Sequence, residues 1–362
     1  VPPTPDGPTA RLTVADFDYA CPAALVAQQP APARDASRLL VLDRARGTRS
    51  HRRFADLPSL LSPGDVLVLN VSRVIPARLI GRRDNGTPAE VLLVHPEPDG
   101  TWLAMVHPGG KLKAGRRVRL DAESAVEIVA VEPSGGGLRR VRFTGPLDAR
   151  AVLKRHGQVP LPPYIRRPPA PDDRERYQTV YARVDGSIAA PTAGLHFTPA
   201  LLDAIRARDV ALAEVVLHVG PGTFKPVEVD DPTRHVMHAE WFEVSAAAAD
   251  LINRGKARAG RVWAVGTTAA RVLETLGASA PPGAPDAPVS VSPTSGWTDL
   301  FIYPPFRFRV VDALLTNFHL PRSTLLMLVA AFAGHTATMA AYREAVERQY
   351  RLYSYGDAMA VL

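Results

Sequence analysis

Histidine is scarce in this chain, ten among 362 residues, yet four of the ten fall between positions 196 and 238: His196, His218, His235 and His238. An imidazole ionises near neutral pH, so histidines brought together can move protons. The string IAAPTAGLHFT (188–198) sets His196 just ahead of a helix start, with Thr192 and Gly194 beside it. LHVGPGTFKPV (217–227) ends an apolar run on His218 and then turns on Gly220, Pro221 and Gly222, followed by Thr223. Such loops at strand carboxyl ends are where ligands bind in α/β sheets. Glycine there lets backbone approach a ligand, and threonine offers a hydroxyl donor. Each histidine alone is equally a hydrogen-bonded structural residue; the cluster reads as a site.

HVMHAE (235–240) sets His235, His238 and Glu240 close together. The glutamate follows the second histidine, unlike the helical His-Glu-x-x-His zinc pattern, so no metal is expected and the segment reads as a polar wall. Gly266-Thr267-Thr268 opens a helix after a strand, which leaves free backbone N–H groups for a carboxylate or phosphate, or for simple capping by Thr267. No G-x-G-x-x-G follows a strand, and neither G-x-x-x-x-G-K-[ST] nor G-x-S-x-G occurs. Rossmann dehydrogenases and methyltransferases, P-loop enzymes and α/β-hydrolases are thereby disfavoured.

The net charge is +7 with a pI near 9.7. Residues 139–183 carry eleven Lys and Arg against four acids, an excess equal to that of the whole chain. A concentrated basic segment points to a polyanion, nucleic acid first, or to a solvated loop. Within GQVPLPPYIRR (157–167) and ERYQTVYA (175–182), Arg166 and Arg167 stand beside Tyr164, Tyr177, Gln178 and Tyr181. Arginine can pair phosphates and tyrosine can stack unpaired bases; a stiff linker is the alternative.

These residues need elements to hold them. SRLLVLDRARGTRSHRRFADLP (37–58) reads as a hairpin turning at Gly47 into a short helix. From 64 to 156, β-branched runs alternate with turns at Asn85-Gly86, Asp99-Gly100, Gly109-Gly110 and Gly135–Gly137, the pattern of a small antiparallel barrel or sandwich. Beyond about 185, strands alternate with helices. Thr198 and Ser245 are placed to cap helices, DLFIY (299–303) reads as a strand, and helices start near Ser323 and Thr336. The expected fold class is α/β: a mixed-sheet domain over 1–63 and 157–362, with an antiparallel β-barrel inserted at 64–156. The Pro/Ala/Ser-rich segment 278–295 reads as a mobile loop. The lone Cys21 excludes an intramolecular disulfide and reads as an apolar filler. VPPTPDGPTA does not read as a signal peptide, and the apolar run 325–333 is about half a membrane span, so a cytoplasmic protein is expected.

Ten strings in order resemble one family, the S-adenosylmethionine:tRNA ribosyltransferase-isomerases of queuosine biosynthesis. They are SRLLVLDR (37–44), PGDVLVLNVSRVIPARL (63–79), GQVPLPPYI (157–165), ERYQTVYA (175–182), IAAPTAGLHFT (188–198), LHVGPGTFKPV (217–227), HVMHAE (235–240), VGTTAARVLE (265–274), TNFHLPRSTLLMLVAAFAG (316–334) and YRLYSYGDAM (350–359). Ser72, Pro305 and a long loop at 278–295 depart from the family pattern. The resemblance implies an α/β domain with an inserted barrel. It implies transfer and isomerisation of the ribosyl group of S-adenosylmethionine onto 7-aminomethyl-7-deazaguanine at the tRNA wobble position, with adenine and methionine released. It implies the tRNA anticodon arm as partner, S-adenosylmethionine as co-substrate, and no metal or further cofactor.

That chemistry needs a base for the C5′ proton beside the sulfonium and a pocket that keeps the amine unprotonated. His196 or His218 is expected to transfer the proton, with His319 and Asp357 as second candidates. Thr192, Gly194, Gly220, Gly222, Thr223 and Asn317 are expected to bind substrate, and Tyr164, Arg166, Arg167, Tyr177 and Gln178 to bind tRNA. Transfer to a small-molecule amine and a non-catalytic RNA-binding module are the alternative readings.

Overall fold

The computed structural model describes residues 12–132, 137–220, 222, 227–279 and 289–362. In chain order its elements begin with the hairpin β1 (Arg38–Asp43) and β2 (Thr48–Arg53), closed at Gly47 with φ +65°. Next come β3 (Val66–Asn70), β4 (Ser72–Val74), β5 (Arg78–Arg83), β6 (Pro88–Pro96), β7 (Trp102–His107), β8 (Arg117–Arg119), β9 (Ala125–Val131) and β10 (Leu138–Thr144). The chain returns through α1 (Ala149–His156), β11 (Gly157–Gln158), α2 (Asp173–Arg176) and β12 (Val184–Ser187). It continues with α3 (Pro199–Arg206), β13 (Ala211–Leu217), β14 (Glu240–Val244), α4 (Ala246–Ala257), β15 (Val262–Val265) and α5 (Thr267–Ser279). It closes with β16 (Thr294–Thr298), β17 (Ala313–Asn317), α6 (Thr324–Ala333), α7 (His335–Glu347) and β18 (Ala358–Val361).

Nine strands form one mixed sheet in the order β16-β14-β13-β3-β15-β17-β18-β1-β2. The block β13, β3, β15 and β17 is parallel, and β14 and β18 run against it on either side. Alternation along the central strands sorts their side chains between two cores. Leu40, Leu42, Val66, Val68, Ala264 and Leu314 pack with the apolar stripes of α4 to α7. Leu39, Val41, Leu67, Leu69, Val265 and Leu315 pack with α3 and the 3-10 turn Phe54–Leu60. Burial on both faces is why these strands read as continuous apolar runs.

The second sheet has seven strands, all antiparallel, in the order β11-β5-β6-β7-β10-β9-β8, and β8 also pairs back onto β5 through Arg82↔Arg119 and Arg83↔Val118. Leu79, Val91, Leu93, Val118, Val126, Ile128 and Val141 fill its inner face, joined by Val152 and Leu153 of α1.

Three expectations are corrected. Residues 64–70 do not belong to the insertion, because β3 lies at the centre of the large sheet between β13 and β15. DLFIY forms no strand; the edge strand is β16, just before it, and Leu300 is held instead by the Thr298 hydroxyl on its N–H and the Arg271 guanidinium on its carbonyl. The expected loop 278–295 has its middle, 280–288, outside the described residues. At its ends α5 runs to Ser279, and Val289 and Val291 are buried, with Asn253 donating to and accepting from the Val291 backbone.

The expected caps are in place: Thr198 and Ser245 accept from the N–H groups of Leu201 at 3.1 Å and Ala248 at 3.2 Å. Thr198→Ala is expected to lower stability by about 1 kcal/mol, read as a shift of the urea midpoint with unchanged slope. Among the described residues no single helix is long and apolar enough to cross a membrane; α6 and α7 pass only as a pair bent by 116°.

Candidate active site

The direction of the parallel block decides where chemistry can sit. The carboxyl ends of β13, β15 and β17 share one edge of the sheet, and so do the amino ends of the opposed strands β1, β14 and β18. The turns leaving β15 and β17 are Gly266-Thr267-Thr268 and Phe318-His319-Leu320. Between them and the segments 189–193 and 353–354 lies a cleft whose open space, its mouth included, is about 660 Å³. Gly266, at φ +90°, makes the strand-to-helix turn that an L side chain would strain, and α5 begins directly after it with its first N–H groups at the cleft.

Three buried polar atoms that line this cleft have no hydrogen-bond partner among the described residues: Tyr177 Oη, Thr268 Oγ1 and Asn317 Oδ1. Buried polar groups are nearly always paired, so three orphans on one cavity mark where a polar ligand completes the structure. Asn317 is 2% exposed; its Nδ2 donates to the Tyr353 carbonyl at 3.1 Å and to His196 Nε2 at 3.2 Å. Tyr353 holds φ at +70°, uncommon for a bulky residue, with its N–H on the Phe318 carbonyl and its hydroxyl against Cys21 Sγ at 2.8 Å. Cys21 is thus a half-buried polar contact as well as a filler.

His319 also lines the cleft. Its Nε2 meets Thr316 Oγ1 at 2.7 Å, its N–H donates to Tyr342 Oη at 3.1 Å, and its carbonyl accepts from Tyr19 Oη at 2.6 Å. Burial pushes its pKa down to about 3, so the ring is neutral, and Nδ1 has no partner among the described residues. With hydrogen on Nε2 donated to Thr316 Oγ1, Nδ1 is a proton-accepting position, though burial makes it a weak base at neutral pH.

A family model described as "Queuosine biosynthesis protein" matches residues 14–361. The chain belongs to this family. It is similar to the S-adenosylmethionine:tRNA ribosyltransferase-isomerase of Moorella thermoacetica, 50% identical over 97% of this chain and 100% of that protein. The protein of the same description from Symbiobacterium thermophilum is 51% identical, again covering 97% and 100%. The crystal structure of S-adenosylmethionine tRNA ribosyltransferase from Thermotoga maritima aligns with a TM-score of 0.54 at 40% identity, covering 96% of this chain and 100% of that one.

In this member of the queuosine biosynthesis family the residues expected from sequence are divided by the fold. Thr192, Asn317 and His319 line the cleft. His196 does not: it is 4% exposed behind the wall, stacked on Phe54 at 4.9 Å between centroids, with Nδ1 2.7 Å from Ser37 Oγ. Burial lowers its pKa to about 4; a hydrogen bond with the Arg34 backbone opposes this, and the Arg34 and Arg351 charges add to the lowering. His218 stacks on Trp241 at 5.3 Å, away from the cleft, its pKa also lowered by burial. Neither of the two histidines offered as alternatives for proton transfer lines the cleft. Asp357 is closed as a free carboxylate: it accepts from the N–H groups of Arg38 at 2.9 Å and Arg351 at 2.8 Å, and from Arg38 Nε at 3.1 Å.

Gly194 packs against the Tyr181 hydroxyl and Gly222 against His238, while Thr223 lies outside the described residues. The Gly220 N–H donates to Glu240 Oε1 at 2.8 Å, and Glu240 also pairs with Arg271 of α5. Glu240 is thus a clamp on the loop after β13, and among the described residues no group of three metal-binding side chains occurs.

The expected tRNA contacts are corrected most. Tyr177 is fully buried and lines the cleft, and Tyr164 lines it too, its hydroxyl 2.6 Å from Ser354 Oγ, so neither ring is free to stack a base. Gln178 bonds both backbone groups of Val74, and Arg167 grips Asp173 with two nitrogens at 2.6 and 2.8 Å. Of the five, Arg166 alone has an exposed, uncommitted side chain. Tyr353 and Arg271 were not singled out from sequence, whereas Thr268 belongs to the Gly266-Thr267-Thr268 turn read there as an anion site or a cap.

Proposed function

We propose that this chain transfers and isomerises the ribosyl group of S-adenosylmethionine onto the aminomethyl group of 7-aminomethyl-7-deazaguanine in tRNA, releasing adenine and methionine and leaving epoxyqueuosine. The observation that carries this reading is the match at about half identity, over nearly the whole of both chains, to proteins of that description. The cleft supports it chemically. The sulfonium acidifies the neighbouring C5′ proton, and the free nitrogen of His319 is the acceptor the cleft offers. The first turn of α5 with Thr268 suits the carboxylate of the methionyl part. S-adenosylmethionine enters as co-substrate, and no metal or other cofactor is part of the reading.

For tRNA, a groove runs between the seven-stranded sheet and the return segment 158–169, lined by Arg78, Ile80, Met105, Gln158, Pro163 and Arg166. Much of the basic excess is engaged inside the protein. Arg139 bonds backbone carbonyls, and Arg140, Arg155, Arg167 and Arg183 pair with carboxylates. Arg142, Arg150, Lys154, Arg166 and Arg174 are exposed and make no ion pair among the described residues, and they are the cations we assign to phosphate contact. The return pairing of β8 onto β5 supports the second sheet as the expected barrel. A cytoplasmic location, where tRNA is modified, completes the reading.

Incubation with S-adenosylmethionine and an anticodon stem-loop bearing the aminomethyl base tests it: adenine should appear only when the RNA is present. Adenine formed with the free base as readily would move the substrate to a small amine, and binding without adenine would leave an RNA-binding module. If about five cations meet phosphates, affinity for the stem-loop should fall on the order of 100-fold between 50 and 200 mM salt. An affinity flat with salt would remove these five residues from the interface.

Tyr177→Phe separates ligand binding from stability. Its hydroxyl is buried without a well-formed hydrogen bond, Ser354 and the Ala190 backbone being its polar neighbours, so its removal should leave the urea midpoint nearly unchanged, while kcat/KM falls about 10-fold.

A further inference from the structure

We propose that His196 is a positioning residue, and that the Asn317 amide it holds presents Oδ1 to the cleft as acceptor for an N–H or O–H donor of S-adenosylmethionine. The inference rests on the reaction proposed above and names how one wall of its site is built. The Tyr353 carbonyl 3.1 Å from the amide can only accept, so the amide group facing it must be the NH₂. The second N–H of that NH₂ points at His196 Nε2, 3.2 Å away, which must then carry a lone pair. The proton of the neutral ring therefore sits on Nδ1 and is donated to Ser37 Oγ at 2.7 Å.

This chain of bonds leaves one atom over. Turning the amide around would set oxygen against the Tyr353 carbonyl, so Oδ1 is fixed on the side away from that carbonyl and from His196, buried and unpartnered on a residue that lines the cleft and is 2% exposed. A buried acceptor without a donor is costly, and a ligand donor removes that cost. His196 itself has both nitrogens engaged and a ring stacked on Phe54 behind the cleft wall, so it has no atom with which to take the C5′ proton. Its action goes through Asn317.

The test begins with the wild-type protein labelled with ¹⁵N in histidine. The His196 ring is expected to show a protonated Nδ1 and a bare Nε2 from about pH 5 to pH 8; a protonated Nε2 overturns the proposal. Asn317→Asp replaces the two N–H donors by oxygen and should draw a proton onto Nε2, and an unaltered ring spectrum counts against the proposal. In turnover, His196→Ala should lower kcat/KM for S-adenosylmethionine about 10- to 100-fold. His196→Gln, whose amide oxygen can accept from Asn317 but cannot act as a base, should return to within about 5-fold of wild type. Neither variant should move the acid limb of the pH profile. Equal inactivity of a folded His196→Gln and His196→Ala would make His196 the proton acceptor and refute the positioning role. If the wild type itself releases no adenine, the reaction reading fails separately. The ring tautomer and calorimetric binding of S-adenosylmethionine then decide the inference: Asn317→Ala should weaken binding at least about 10-fold, and an unchanged Kd overturns it.

Discussion

Glu240→Ala is expected to destabilise the protein by about 3–5 kcal/mol. Glu240 and Arg271 are 5% exposed each and form an ion pair between β14 and α5. Arg271 also donates to the carbonyls of Thr298 and Leu300, both at 3.2 Å, so the guanidinium is held in place. Deleting the carboxylate leaves that cation buried and unpaired and frees the Gly220 N–H, which donates to Glu240 Oε1 at 2.8 Å. The loss should appear as a lower urea midpoint. Replacing both partners by apolar residues, Glu240→Leu with Arg271→Met, should recover most of the stability because no buried charge remains. It should not recover activity, since the loop after β13 still lacks its clamp. A single variant as stable as wild type would show that water reaches the pair.

Acidification from pH 7 to pH 5 is expected to remove about 4 kcal/mol of stability through two histidines alone. Burial lowers the pKa values of His196 and His319 to about 4 and about 3 in the folded protein, from an ordinary value of 6.5, because it disfavours the charged ring. In the unfolded chain both rings take up protons near 6.5. Between 6.5 and about 4 the unfolded state therefore binds more protons, and stability falls as the pH drops, by up to about 1.4 kcal/mol per unit for each ring. Carboxylates with lowered values titrate below this window and contribute little to it, while His218 and His235, lowered by burial, add to the slope and Glu274, raised by burial, opposes it. Urea midpoints measured at pH 7, 6 and 5 check the slope, and His196→Gln should cut it by about half. A midpoint independent of pH over this range would mean that both rings accept protons while folded.

Much of the architecture was legible along the chain because it is local. The hairpin at Gly47, the caps at Thr198 and Ser245, and the strand-turn-helix at Gly266-Thr267-Thr268 each follow from neighbours a few residues apart, and all stand in the structure. The β3 assignment failed for the same reason. Val66–Asn70 is an apolar run like those that follow it, and nothing local says that its partners are β13, well over a hundred residues later, and β15. The site was legible only as a set of strings. Asn317, Thr192 and His319 reach the cleft, while His196, from the string that seemed richest in chemistry, lies behind it.

The residue types and their order were enough to assign the family, the α/β class and a polar site built from glycine, threonine and histidine turns, because each depends on composition or on short spacing. Burial and pairing are properties of three-dimensional neighbours. Whether an arginine is free for a phosphate or holds Asp173, whether a tyrosine can stack a base or lines a cleft, and which nitrogen of which histidine keeps a lone pair open were settled only when β15 and β17 brought their carboxyl ends together. Pairing is what sets the pKa values and leaves the three orphan atoms, so the chemistry of the cleft belongs to the tertiary structure.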